Sequence, residues 1–240
     1  MEKELLVFAE ALKKICAANI KSFVVYGSAA SGEKHAKSDF NTLLVLKTMT
    51  PADLKAISKI VEKWVNKGNP APLLFTYASL LSSTDTFPLE FTDIKENHLT
   101  LAGEEIFNSL KIIGAHLRNQ LEREIKIKTL KLREGYLLAN GNSGKLKNIM
   151  KVSISTFLAI FKGLLRLTGE QGPLKKSTII EKASKKMRLN AAIFFAILHL
   201  KEGSDKIKNK DTEIFYGQYL VEIEKAGKFI DNFTKKNRRK

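Results

Sequence analysis

The chain has 240 residues, 44% of them hydrophobic and 28% charged, with a formal net charge of +16 and a single cysteine, Cys16. One thiol excludes an internal disulfide and any multi-cysteine zinc site. The N-terminal stretch MEKELLVFAEALKKI carries acids and lysines at helical spacing rather than a signal-peptide core, and no uninterrupted run of about 18 apolar residues predicts a membrane span, so the expectation is a cytoplasmic protein.

The charge is not spread evenly. Residues 1–110 contain 12 Lys+Arg and 13 Asp+Glu, a net of −1, whereas the remainder contains 29 basic and 12 acidic residues and every arginine. This break predicts two domains, 1–108 and 109–240, and makes the second a candidate for contact with nucleic acid or another polyanion. A lysine-rich helical surface that only serves solubility explains the same counts.

In chain order, Leu5, Leu6, Phe8, Ala9, Leu12, Ile15 and Cys16 recur at helical period and predict a helix over 3–19. SFVVY, 22–26, reads as a short strand, followed by a small, Gly-rich turn over 27–32 that opens a short helix. FNTLLVLK, 40–47, is nearly all apolar and predicts a strand buried on both faces. Thr50-Pro51-Ala52-Asp53 is a helix start, and Gly68-Asn69-Pro70 ends that helix. PLLFTYASLL, 72–81, mixes a strand start with helical possibilities, and FPLEFTDIK, 87–95, reads as a further strand. Beyond residue 110 the alternation disappears. Helices are expected over 112–139, 145–168, 176–201 and 211–235, an antiparallel bundle whose most apolar members are ISTFLAIFKGLLRL and AAIFFAILHL. His199, within the latter, is expected in the core. The fold class is therefore an α/β (α+β) N-terminal domain with a mixed sheet, then an all-α helical bundle.

The chemistry concentrates in FVVYGSAASGEKHAKSDFNTLLVL, 23–46. A glycine at the end of a strand lets backbone N–H groups approach a ligand, and with the Ser28 hydroxyl they can hold phosphate oxygens. On the next strand Asp39 and Asn41, two apart, share a face. An oxygen-donor pair beside a phosphate-holding turn suits Mg²⁺ shared with a nucleotide, since Mg²⁺ takes octahedral oxygen ligands from carboxylates and phosphates. The rival reading of GSAASGEK as a P-loop fails at Glu33, which stands where the motif has lysine. His35 is near enough in sequence to meet a phosphate. His98, His116 and His199 lack metal-ligand spacing.

Tyr26-Gly27-Ser28, then Ser38-Asp39-Phe40-Asn41 followed by an apolar strand, resembles the signature of the nucleotidyltransferase superfamily, which includes DNA polymerase beta and kanamycin nucleotidyltransferase. The resemblance covers about residues 1–107. It implies a Mg²⁺-dependent transfer of a nucleoside monophosphate from an NTP to a hydroxyl acceptor held between the two domains. Gly27, Ser28 and Ser38 would hold the nucleotide; Asp39, Asn41 and a third carboxylate from a later strand would hold the metal. Leu89-Glu90-Phe91 matches that later strand better than Thr92-Asp93-Ile94, so Glu90 is preferred to Asp93. The departure is Asn41, where the pattern has a second Asp. A neutral amide there removes one charge from the metal site. The resemblance therefore implies either an enzyme with a weakened site or a catalytically impaired protein that binds nucleotide or RNA. If the first bundle helix lines the cleft, Lys126 or Arg133 would reach the triphosphate.

Overall fold

The computed structural model describes residues 3–31, 40–170, 172, 174–204 and 207–237, without the side chains of residues 28, 31 and 234–237. The chain divides into two compact units, Met1–Ile113 and Gly114–Lys240.

In the first unit, α1 (Lys3–Cys16), β1 (Ile20–Tyr26) and the short α2 (Ser28–Ser31) precede β2 (Asn41–Leu46) and α3 (Pro51–Val65). Then come β3 (Leu73–Thr76), α4 (Tyr77–Ser82), α5 (Pro88–Glu96) and β4 (His98–Gly103). The strand order is β3-β2-β1-β4. β1 is antiparallel to β2 and β4, and β2 is parallel to β3, so the sheet is mixed, as the sequence predicts. β1 and β2 are its inner strands. The apolar run of β2 is buried on both faces from Thr42 to Leu46, which is why it lacks polar alternation.

One face packs on α1 and α3 through Phe8, Leu12, Phe23, Val25, Leu44 and Trp64. The Trp64 ring stacks on Phe8 at 4.3 Å, and its indole N–H donates to the Pro70 carbonyl at 2.9 Å. The other face packs Val24, Leu43 and Val45 against Leu80, Phe91, Ile94 and Phe107. α3 begins with a reciprocal cap: Asp53 N–H donates to Thr50 Oγ1 at 3.2 Å, and Thr50 N–H to the Asp53 carboxylate at 2.8 Å.

The strand expected over 87–95 is a helix, α5. Pro88 occupies its first turn, and Pro88, Phe91 and Ile94 are buried at a spacing of three, which is one helix face. The strand that pairs with β1 lies just beyond it, at HLTLAG.

The second unit contains, among the described residues, α6 (Gly114–Ala139), α7 (Ser143–Leu167), α8 (Lys176–Met187), α9 (Ala191–Glu202) and α10 (Thr212–Asn237), with a 3₁₀ turn at Asn209–Asp211. The single helix expected over 176–201 is two. Arg188 adopts a left-handed φ of 57° and caps α8, and the Asn190 side chain accepts from Ala192 N–H to start α9. α7 is the central helix, in contact with α6, α8, α9 and α10. It is long and apolar enough to cross a bilayer, yet half of its most apolar stretch is buried inside the unit. Its Phe157, Phe161 and Leu164 are fully enclosed, as are Tyr216 and Tyr219 of α10. His199 is exposed rather than in the core.

Candidate functional site

The antiparallel register sets Tyr26, the last residue of β1, opposite Asn41 of β2 on one side and His98 of β4 on the other. Directly opposed residues project to the same face. Asn41, Tyr26 and His98 thus form a row across three strands, on the face that carries Val24, Leu43 and Val45. Asn41, at the sheet's end, is exposed.

Gly27 follows in a left-handed turn with φ +76°, a conformation that favours glycine. A Cβ built there would lie 3.8 Å from the Asn41 amide nitrogen, so the turn and the Asn41 side chain are neighbours. Gly27 N–H donates to the Asn97 carbonyl at 3.1 Å, and its carbonyl accepts from Ala30 N–H at 3.0 Å. Ser28 opens α2; its side chain lies outside the description, as do Ser38, Asp39, Glu33 and His35.

Glu90 is exposed, on the first turn of α5. The alternation that preferred it to Asp93 does not apply on a helix. Its carboxylate nevertheless lies close enough to Tyr26 to act on it. Burial first, and then the Glu90 charge, push the Tyr26 phenol above its ordinary pKa. The later strands, β3 (LLFT) and β4 (HLTLAG), contain no acid. The strand-borne third carboxylate is therefore absent from both. Among the described residues no group of three His, Cys, Asp or Glu side chains could hold a metal ion.

Two supports of this row were not legible as such in the sequence. The first is Asn69, buried in the loop after α3. Its side-chain oxygen accepts from Phe40 N–H at 3.2 Å, and its amide donates to Glu4 on α1 at 3.2 Å. Phe40, packed on Trp64 at 5.9 Å, is thereby pinned at the residue that follows Asp39. The second is His98. Its Nδ1 meets the Ile94 carbonyl at 2.7 Å, and its Nε2 meets the Glu105 carboxylate at 2.8 Å. A carbonyl only accepts, so Nδ1 carries a proton. Burial raises the Glu105 carboxyl, but hydrogen bonds from Thr100 and His98, the His98 charge and Asn108 N–H outweigh it and hold the group below the usual carboxylate range. This brace ties the end of α5 to β4 and to the turn after it.

Lys126 and Arg133 of α6 are engaged within the second unit. Lys126 pairs with Glu122 and with Asp231, and Arg133 pairs with Glu224 at 2.8 Å.

No family model matches the sequence, and no curated protein matches it. Among solved structures the chain is similar to the spectinomycin adenyltransferase AAD(9) from Enterococcus faecialis, determined with ATP and spectinomycin. The identity is 11% and the TM-score 0.58, and the match covers 92% of this chain and 98% of that one. The likeness is one of fold: a nucleotidyltransferase-type α/β unit followed by a helical unit.

Proposed function

We propose that the chain binds a nucleoside triphosphate with Mg²⁺ at the end of β1 and β2, as a nucleotidyltransferase whose metal site is weakened. The observation that carries this reading is the contact between the left-handed Gly27 turn and the Asn41 side chain. It sets a backbone that can approach phosphate beside the Asn41 amide, whose nitrogen lies on the Gly27 side and whose oxygen would serve a cation. The structural neighbour, itself an adenyltransferase determined with ATP and spectinomycin, supports the same class with a small hydroxylated acceptor.

The donors at hand are Asn41 Oδ1 and Glu90 on the first turn of α5, with Asp39 two residues before Asn41 in sequence. One amide oxygen and two carboxylates fit a single Mg²⁺ shared with the nucleotide better than a pair of ions about 4 Å apart. Such an ion, when bound, neutralises charge on the phosphates. The chain's own part is to hold. The N–H groups of Ser28 and Ala29, at the start of α2, would donate to the nucleotide's oxygens, while the Ala30 N–H closes the turn on the Gly27 carbonyl. Gly27 admits those oxygens, and the Asn69 and His98 braces fix the ends of β2 and α5. In the transfer, the acceptor oxygen bonds to the α-phosphorus as the bond to the bridging oxygen breaks. Pyrophosphate leaves with the bridging oxygen, and a carboxylate of the site not engaged by the ion, Asp39 or Glu90, would take the hydroxyl proton.

A second reading, nucleotide binding without turnover, is favoured by the acid-free β3 and β4. Calorimetric titration with each NTP, with and without Mg²⁺, tests the first reading in wild type, Asp39→Ala and Asn41→Asp. Mg²⁺-dependent binding that Asp39→Ala removes and Asn41→Asp tightens is expected. No binding under any condition overturns both readings. Binding without pyrophosphate release, in wild type and in Asn41→Asp alike, selects the second.

A further inference from the structure

The helical unit contains a cavity of about 330 Å³, lined only by residues of α6 and α7. That volume and a mostly apolar wall with a few polar groups are what small-molecule sites have. Ile149 and Val152 form its accessible apolar lining, over the enclosed side chains of Leu132 and Phe157. Lys128 enters from α6. It is half-buried, and no acid lies within ion-pair distance of its ammonium among the described residues. The other lysine at the rim, Lys131, is neutralised by Glu134 at 2.7 Å. On the α7 side, the Ser153 hydroxyl is engaged with Met150 and with Tyr219 at 3.1 Å, whereas Thr156 also lines the cavity and forms no hydrogen bond among the described residues.

A partly desolvated cation beside an apolar cavity selects a particular chemistry. The body of the ligand must be apolar to lie on Ile149 and Val152, the accessible apolar side chains of the wall. Its head must be anionic to meet Lys128, and a single uncompensated lysine matches a single negative charge. We propose that this cavity binds a small organic monocarboxylate with an apolar body, such as an aromatic acid, its carboxylate on Lys128 and Thr156. This site is independent of the nucleotide reading, since every residue it uses belongs to the helical unit.

The test is calorimetric titration of the full chain with 2-naphthoate and with its neutral isostere 2-naphthamide. Wild type is compared with Lys128→Met, which keeps the stem and removes the charge, and with Val152→Trp, which fills the cavity mouth from a position 67% exposed. Naphthoate is expected to saturate one site. Lys128→Met should weaken it about tenfold or more, the loss of one charge-assisted hydrogen bond, and leave naphthamide unchanged. Val152→Trp should abolish both, and Thr156→Leu gives the same readout if that variant fails to fold. The proposal is overturned if neither compound saturates, or if naphthoate binds wild type and both variants alike. It is also overturned if sedimentation shows a dimer that Val152→Trp dissociates, because the groove is then an interface between copies of the chain.

Discussion

The backbone N–H of Phe40 donates to the side-chain oxygen of Asn69, 3.2 Å away across the first unit, and the same amide reaches Glu4 on α1. One buried loop residue thus holds the start of β2, where the candidate site begins, to the helix layer behind it. Asn69→Ala removes both the acceptor of the Phe40 N–H and the bond to Glu4 from the interior, and should destabilise the unit by about 1–3 kcal/mol. The chain's single tryptophan, Trp64, lies in this unit and packs on Phe40. Denaturant unfolding followed by tryptophan fluorescence therefore reads the loss directly. Nucleotide binding should weaken with it, whereas an unchanged midpoint would show that Asn69 is not the anchor.

Glu90 is linked to the site through its charge on Tyr26. Glu90→Gln removes that charge, makes the phenolate less unfavourable and should lower the Tyr26 pKa, leaving only the part due to burial. Titration of the Tyr26 ring-carbon signal by NMR in the two proteins checks this. If the signal titrates at the same pH in both, Glu90 does not face Tyr26, and its place in the site goes with it.

Two left-handed glycines make a controlled pair. At Gly103, φ +77°, a Cβ would stand 2.5 Å from the Lys21 carbonyl oxygen, whereas at Gly68, φ +91°, it would meet nothing within 4 Å. Gly68→Ala should therefore carry backbone strain alone, about 1–2 kcal/mol. Gly103→Ala adds a backbone clash where β4 meets β1 and should reach about 3 kcal/mol or more. Equal losses in tryptophan-monitored unfolding would contradict the close approach at Gly103.

In the helical unit, burial raises Tyr216 from 10.0 to about 12 and raises Tyr219 as well. Tyr216 donates to the Leu132 carbonyl at 2.7 Å. The sign follows from linkage. The unfolded chain releases these protons from about pH 10, while the folded unit retains them, so the unfolded state binds fewer protons in that window. The stabilisation is complete below pH 10 and is lost as the pH climbs towards 12. Urea midpoints by circular dichroism at pH 8, 10 and 11 should fall over the last interval, and Tyr216→Phe should flatten the fall while lowering the midpoint at pH 8.

The parts of the fold readable from the sequence are those where one physical signal acts alone. β2 is apolar throughout because both its faces are covered, and α3 begins at a Thr-Pro-x-Asp cap that needs no tertiary partner. Residues 87–95 carry two signals at once. Leu89 and Phe91 alternate with Glu90 and Thr92 as a strand would, and Pro88, Phe91 and Ile94 satisfy a helical spacing, over a window too short for either period to dominate. Tertiary burial of the second set makes it α5. The break at Arg188 was hidden for another reason: arginine carries no signal for a left-handed turn, and the asparagine that starts α9 acts only once that turn exists. At the site, Gly27 and Asn41 announce themselves by residue type and spacing. Asn69 and His98 do not, because each works through a backbone partner that the sequence leaves unspecified.

The place of β1 in the sheet also governs the order in which the first unit can be completed. β1 is an inner strand, yet its second neighbour, β4, ends at Gly103, opposite Ser22. A nascent chain must synthesise β2, α3, β3, α4 and α5 before that edge of β1 is closed. Until then an apolar strand lies open on one side, which favours slow, non-local folding and exposes the segment to capture by other chains. The helical unit is built instead on the neighbouring pair α6 and α7, which can form as soon as both are made. The two halves of the chain should therefore refold on separate timescales, with tryptophan fluorescence lagging the recovery of helical circular dichroism.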